Sequence, residues 1–180
     1  MTGQLARCEN QAAGRLPVDL SDVAAGAVEE TAAEAAAAQV TVGAAPGPAA
    51  TRGDPVLLER LALNLVRNGI QHNHPGGWVT VTTRTVGPPR MVELEVSNSG
   101  PVVPAEQLDA LFDPFRRLDR NRATHPHGAG LGLSIVRSVV QAHGGQLAAA
   151  TRDGGGLTIK IQFDEGSRAQ DVAGIGWVAR

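Results

Sequence analysis

The amino-acid sequence predicts an α/β protein: a two-layer α/β sandwich in which a mixed sheet carries its helices on one face. Three observations lead there. Apolar residues recur at helical spacing after Ser21, after Pro55 and after Leu131. Apolar and polar residues alternate along "WVTVTTRTV" (78–86), "MVELEV" (91–96) and "LTIKIQF" (157–163), the period of a half-buried strand. The order is helix, two strands, helix, two strands, short helix, loop, helix, two strands. Strand pairs separated by helices bury their apolar faces best as one helix layer on one sheet.

Each element has a local reason. In "LPVDLSDVAAGAVEETAAEAAAA" a helix starts near Ser21, with Leu20, Val23, Ala27 and Val28 on one face. "QVTVG" (39–43) reads as a short strand, and "APGPAATRGD" as a turn and a second short strand. Asp54 supplies an N-cap and Pro55 the first helical position for a helix through Leu57, Leu58, Leu61, Leu65 and Ile70. Pro75-Gly76-Gly77 ends it. Gly87-Pro88-Pro89 turns 78–86 into 91–96 as a hairpin, and "SNSGPVVP" is a loop. A short helix is expected at 105–111, followed by the long polar stretch "FDPFRRLDRNRATHPHGAG". "LGLSIVRSVVQAHGG" is a helix closed by glycine, and "QLAAAT" with "LTIKIQF" forms a last hairpin around Asp153-Gly154. Residues 17–163 are expected to form one domain, with a flexible segment at 1–16 and a tail at 164–180.

Composition narrows the class. A chain of 180 residues, 42% hydrophobic, suits one domain with a substantial core. A net charge of −2 supplies no positive field for nucleic acid. The single cysteine, Cys8, excludes an internal disulfide framework and fits a reducing compartment. No stretch approaches the roughly 20 apolar residues of a membrane span, and no signal-peptide pattern opens the chain, so a cytoplasmic protein is expected. His72 and His74 in "HNHP" invite a zinc reading, but convergent ligands in the number zinc needs are lacking.

Four segments carry chemistry. Asn64 and Asn68 lie four residues apart, on one face of a helix they do not favour intrinsically. "VSNSGPVVP" ends a strand in a polar residue and a glycine turn; "LFDPFRRL" holds two of the three phenylalanines. "HGAGLGLSIV" is a glycine-rich loop opening a helix, where backbone N–H groups approach phosphates. No strand feeds directly into this loop, which excludes a dinucleotide fold, and no Gly-Lys-Ser/Thr follows, which excludes a Walker loop.

In this order and spacing the four segments resemble the N, G1, F and G2 boxes of the ATP-binding catalytic domain of bacterial sensor histidine kinases. That domain has the Bergerat fold, shared with gyrase, Hsp90 and MutL. The resemblance covers about residues 17–163. It implies ATP and Mg²⁺ as cofactors, with Asn68 as direct Mg²⁺ ligand and Asn64 supporting the metal, its waters or the phosphates. Gln71 and His72 stand where the family often has Lys and Tyr; Gln71 can hydrogen-bond and His72 can stack near the nucleotide. Asn98 takes the place of an aspartate that accepts from the adenine N6 amino group, and its amide oxygen can still accept. Gly100 retains one glycine of the box, Val102 replaces the second, and Val103 follows. Phe112 and Phe115 are implied to anchor the nucleotide lid and meet a partner helix, with Arg117, flanked by Arg116, reaching the γ-phosphate. Gly128, Gly130, Leu131, Gly132 and Leu133 would wrap the phosphates. The catalytic set implied is Asn64, Asn68 and Arg117.

The family phosphorylates a histidine followed by an acidic residue and then proline. None of His72, His74, His125, His127 and His143 has that setting. The expected partners are therefore a dimerisation and phosphoacceptor domain supplied in trans, with a response regulator downstream; residues 1–16 are read as a possible remnant of the dimerisation hairpin. A serine kinase of the anti-sigma-factor type and a non-catalytic docking module are the alternatives. A gyrase-type or Hsp90-type ATPase fits less well, because those carry Glu where Asn64 stands.

Overall fold

The structure is a computed structural model that describes residues 15–113 and 131–166. The elements are β1 (Leu16–Asp19), α1 (Leu20–Glu30), α2 (Ala32–Ala37), β2 (Thr41–Pro46), β3 (Ala50–Gly53), α3 (Pro55–Gln71), β4 (Trp78–Val86) and β5 (Met91–Asn98). Two 3-10 turns follow, Ala105–Gln107 and Asp109–Phe112, and then α4 (Gly132–Ala142), β6 (Gln146–Thr151) and β7 (Leu157–Asp164). A five-stranded sheet has the order β2-β4-β5-β7-β6. Only its β2–β4 pair is parallel, so the sheet is mixed. β1 and β3 form a separate antiparallel pair.

The strand alternation sorts the sheet into two unlike faces. Val79, Val81, Val92, Leu94, Val96, Ile159, Ile161 and Phe163 are buried toward the helices. Against them α3 sets Leu58, Leu61, Leu65, Val66 and Ile70. α1 adds Leu20 and Val23, and α4 adds Leu133, Val136, Val139 and Val140. α3 packs on both α1 and α4, which makes it the central helix of the layer. Burial of this kind is worth about 25 cal/mol per Å² of apolar surface, and it holds the layer to the sheet. The other face is polar and laddered: Arg84 and Gln162 donate to Glu93, Lys160 pairs with Glu95, and Ser97 bonds Thr158.

α3 forms where the cap predicts. Asp54 accepts from the N–H groups of Val56 and Leu57, and Pro55 occupies the first turn. Several boundaries differ from expectation, among them β5, which runs on past residue 96 to Asn98 because Ser97 and Asn98 continue its pairing with β4 and β7. α1 begins at Leu20, because Asp19 caps it by accepting from the Ser21 N–H. The alanine-rich helix is split at Thr31, whose hydroxyl donates back to the Ala27 carbonyl. β2 starts at Thr41 and not Gln39, because Gln39 has φ +56° and closes the turn after α2. The segment expected as a helix at 105–111 is the pair of 3-10 turns. β1 was not expected; its four residues pair with β3 across the chain. Among the described residues no helix is long and apolar enough to cross a membrane.

Candidate functional site

The site lies where the C-terminal half of α3 meets the end of β5 and the start of α4. Asn64 and Asn68 are half-buried on one face of α3. A Cβ added to Gly132 would sit 3.5 Å from Asn64 Oδ1, so this amide faces the first turn of α4. Neither carboxamide is committed to a hydrogen bond with another described residue. Leu131 takes the N-cap position of α4 with no side-chain hydrogen bond to the helix. A helix start without a side-chain cap presents N–H donors and the positive end of the helix dipole, a setting that favours anions.

Immediately after Asn68, Gly69 lets α3 settle onto β4 and the end of β5. A Cβ there would lie 3.1 Å from Val79 and 3.3 Å from the Asn98 Cβ. Asn98 is buried, and its Nδ2 donates to the Ser99 carbonyl at 2.7 Å. A carbonyl only accepts, so this bond fixes which way the amide points. No described residue donates to Asn98 Oδ1. No buried side-chain oxygen in the described structure is left without a partner, so that oxygen has solvent access. It is an oriented acceptor at the end of a strand.

The loop after β5 is held on two sides. Gly100 has φ +155°, and a Cβ on it would come 2.6 Å from the His72 carbonyl oxygen. The turn between β6 and β7 presses from the other side. Gly156 donates to the Pro101 carbonyl at 3.0 Å, and side chains at Gly155 and Gly156 would run into the carbonyls of Gly100 and Asn98. Both glycines have positive φ.

Gln71 is exposed at the end of α3, and His72 is the exposed C-cap, its N–H donating to the Asn68 carbonyl. Val103 is buried, whereas Val102 is 74% exposed and points away from the core. Leu131 and Gly132 are half-buried and Leu133 is buried. Phe115, Arg116, Arg117, Gly128 and Gly130 lie outside the described residues. Phe112 is buried against α4 and helps line an apolar groove of about 560 Å³ with Leu57, Ile135 and Val139. That groove does not include Asn64, Asn68 or Asn98.

Sequence reasoning missed Asn73 and Ser99, which tie the site together, and the contacts of Gly155 and Gly156. Asn73 stands before His-Pro-Gly-Gly and Ser99 inside the glycine turn, so each reads in isolation as turn chemistry. The three consecutive glycines at 154–156 were a legible signal, more than one hairpin turn requires.

A helix layer on a mixed sheet, an asparagine pair of which Asn64 faces a helix N-terminus, and an oriented acceptor at a strand end together fit an ATP-binding domain of the Bergerat class. Residues 53–167 match the model of the histidine kinase-, DNA gyrase B-, and HSP90-like ATPases, and the chain belongs to that family. Within it, the chain has the ATP-binding catalytic domain of the sensor histidine kinases. It is 48% identical over 158 residues to the sensor protein CutS of Streptomyces coelicolor, covering 87% of this chain and 38% of CutS. It is 35% identical over 140 residues to the probable sensor histidine kinase TcrY of Mycobacterium tuberculosis, covering 78% of this chain and 29% of TcrY. The solved mycobacterial sensor histidine kinase MprB superposes with a TM-score of 0.72 at 29% identity, over 83% of this chain and 96% of that structure. The chain thus spans less than two fifths of the length of these curated relatives.

Proposed function

We propose that this chain holds Mg-ATP between α3, the loop after β5 and the start of α4, and transfers the γ-phosphoryl group to a histidine on a separate dimerisation domain, from which a response regulator takes it. Asn98 Oδ1 accepts from the adenine amino group. Asn68 ligates Mg²⁺ and Asn64 supports the metal or the phosphates, since neutral amide oxygens suit a hard cation that keeps several waters. The first turn of α4, beside Gly132, receives the phosphates through its N–H groups. Arg117 meets the γ-phosphate and Arg116 lies beside it; Phe112 and Phe115 anchor the lid against the partner helix. Gln71 and His72 flank the nucleotide, as do Val102, Val103, Gly128, Gly130, Leu131 and Leu133. Bound Mg²⁺ supplies charge neutralisation during phosphoryl transfer.

The observation that carries this reading is the Asn98 amide. Its nitrogen is tied to the Ser99 carbonyl and its oxygen is left as an accessible acceptor. The uncommitted Asn64 and Asn68 amides, one of them facing Gly132, fit the metal and phosphate end. Calorimetric titration of ADP and ATP with and without Mg²⁺, with GTP as control, tests the site. Adenine-selective, Mg²⁺-enhanced binding is expected. Asn68→Ala should weaken it on the order of ten- to hundredfold, as loss of a metal-positioning group does. No binding, or binding indifferent to Asn68→Ala, would sink the assignment. Transfer of label from γ-labelled ATP to the histidine of an added dimerisation domain tests the reaction itself.

A further inference from the structure

Directly beneath the proposed site lies a polar cluster that none of the four sequence segments explains. Asn73 Nδ2 donates to the carbonyls of Gly69 (3.1 Å) and Trp78 (3.0 Å). Asn73 Oδ1 accepts from the Ser99 hydroxyl (2.9 Å) and from the His74 N–H (3.0 Å). The Ser99 hydroxyl accepts in turn from the Trp78 N–H at 2.8 Å. Four points of the chain converge on these two side chains: the last turn of α3, the turn after it, the first residue of β4 and the loop after β5.

The connectivity is unusual for a simple turn. Asn73 satisfies a carbonyl at the C-terminal end of α3, one of those a helix leaves without an intrahelical partner. The same amide, through Ser99, grips the residue between Asn98 and Gly100. α3 carries Asn64 and Asn68; the loop carries Asn98. Among the described residues, packing also joins the two halves, through Gly69 against Asn98 and Gly100 against the His72 carbonyl. Packing resists approach, whereas hydrogen bonds also resist separation and sliding.

We propose that Asn73 and Ser99 are positioning residues that fix the distance between the base-reading loop and the metal-binding helix, so that one nucleotide can engage both. The inference rests on the reading of the site as an Mg-ATP site. A ligand that spans both ends gains from having their spacing set in advance, because the ordering cost is met by folding and not by binding. A ligand that touches one end gains nothing from the clip. That difference separates a positioning role from a merely structural one.

The test measures three dissociation constants on the full chain: ADP with Mg²⁺, adenosine alone, and inorganic tripolyphosphate with Mg²⁺. Ser99→Ala and Asn73→Ala should each weaken ADP about tenfold or more, the order expected for one or two lost hydrogen bonds. Adenosine and tripolyphosphate should stay within about twofold, since each needs only one end. Ser99→Thr keeps the hydroxyl and should restore ADP binding. Melting temperatures establish that each variant is folded, and Ser99→Ala, the milder change, serves if Asn73→Ala does not fold. Unchanged ADP affinity in a folded variant overturns the clip. Equal weakening of all three ligands also overturns it, because that marks local collapse. Failure of the parent chain to bind ADP overturns the site reading and the clip with it, whereas failure confined to the variants' pattern overturns the clip alone.

Discussion

The two ends of the site are built in opposite ways. At the proposed base end, Ser99 is hydrogen-bonded to Asn73 and Trp78, Asn98 donates to the Ser99 carbonyl, and Gly155 and Gly156 abut the loop from the side. At the proposed phosphate end, Asn64 and Asn68 are committed to no other described residue, and Leu131, at the N-cap of α4, makes no side-chain hydrogen bond to the helix. The base end is therefore finished by folding. The other end keeps its acceptors and donors in reserve for whatever binds there. Substitutions at Gly156, which braces the loop, or at Asn98 itself should disturb the fold as well as the site. Substitutions such as Asn68→Ala should disturb binding with little cost to the fold, because half-exposed groups with no partner contribute little to stability.

The largest effect should come from Gly156→Ala. The position has φ +91°, unfavourable for alanine, and the new Cβ would run into the Asn98 carbonyl oxygen. Strain and clash together should cost about 2–4 kcal/mol. That lowers the melting temperature by roughly 5–15 °C for a chain of this size and weakens ADP at the same time. A thermal scan that leaves the melting temperature unchanged would show that the hairpin turn does not brace the loop, and the contrast between the two ends would fail.

Asn98→Asp should have a smaller and less intuitive effect. Aspartate would give adenine a charge-assisted acceptor, which argues for tighter binding. However, Nδ2 of Asn98 donates to the Ser99 carbonyl at 2.7 Å, and a carboxylate would place an oxygen against that oxygen. Losing the bond and setting two acceptors together should cost about 1–3 kcal/mol. The expected outcome is a lower melting temperature with no gain in ADP affinity. Tighter ADP binding at an unchanged melting temperature would mean that the loop rotates freely, and the base end would then be no more finished than the phosphate end.

This division also explains what was legible in the sequence. α3 was, because Asp54, Pro55 and the apolar spacing from Leu58 to Ile70 are local signals that folding obeys. The facing of Asn64 and Asn68 followed from a spacing of four on a helix. The alternation in β4, β5 and β7 gave the sheet its two faces. The bracing of the base end was legible only as a run of three glycines at 154–156, not as a contact with the loop after β5. Gly156 matters because it abuts Asn98, and Ser99 because it reaches Asn73, and no local pattern announces a partner far away in the chain. β1 was missed for the same reason, since four residues beginning Leu-Pro become a strand only by pairing with β3. Gln39 shows the limit of periodicity: its side chain fits a strand pattern, while its backbone at φ +56° belongs to the turn.

The smallest effect should come from a region belonging to neither end, the polar face of the sheet. The Glu93 side chain is only 5% exposed. Burial raises the cost of its charge, but hydrogen bonds from Gln162 and Arg84, with the charges of Arg84 and Lys160, outweigh that and hold its pKa below the ordinary carboxylate value. A carboxylate with a depressed folded pKa stabilises the protein above its unfolded value, about 4.3, and that contribution is lost as pH falls through the lower folded value. Glu93→Gln should therefore lower stability near pH 7 by roughly 1 kcal/mol, tempered because Arg84 is 56% exposed. Melting curves of parent and variant should converge as the pH is taken below about 4. ADP affinity at neutral pH should not change, because the polar face is separated from the site by the sheet itself. If Glu93→Gln weakened ADP as much as Gly156→Ala, bracing would be a property of the whole sheet and not of the loop that Asn73 and the glycine turn enclose.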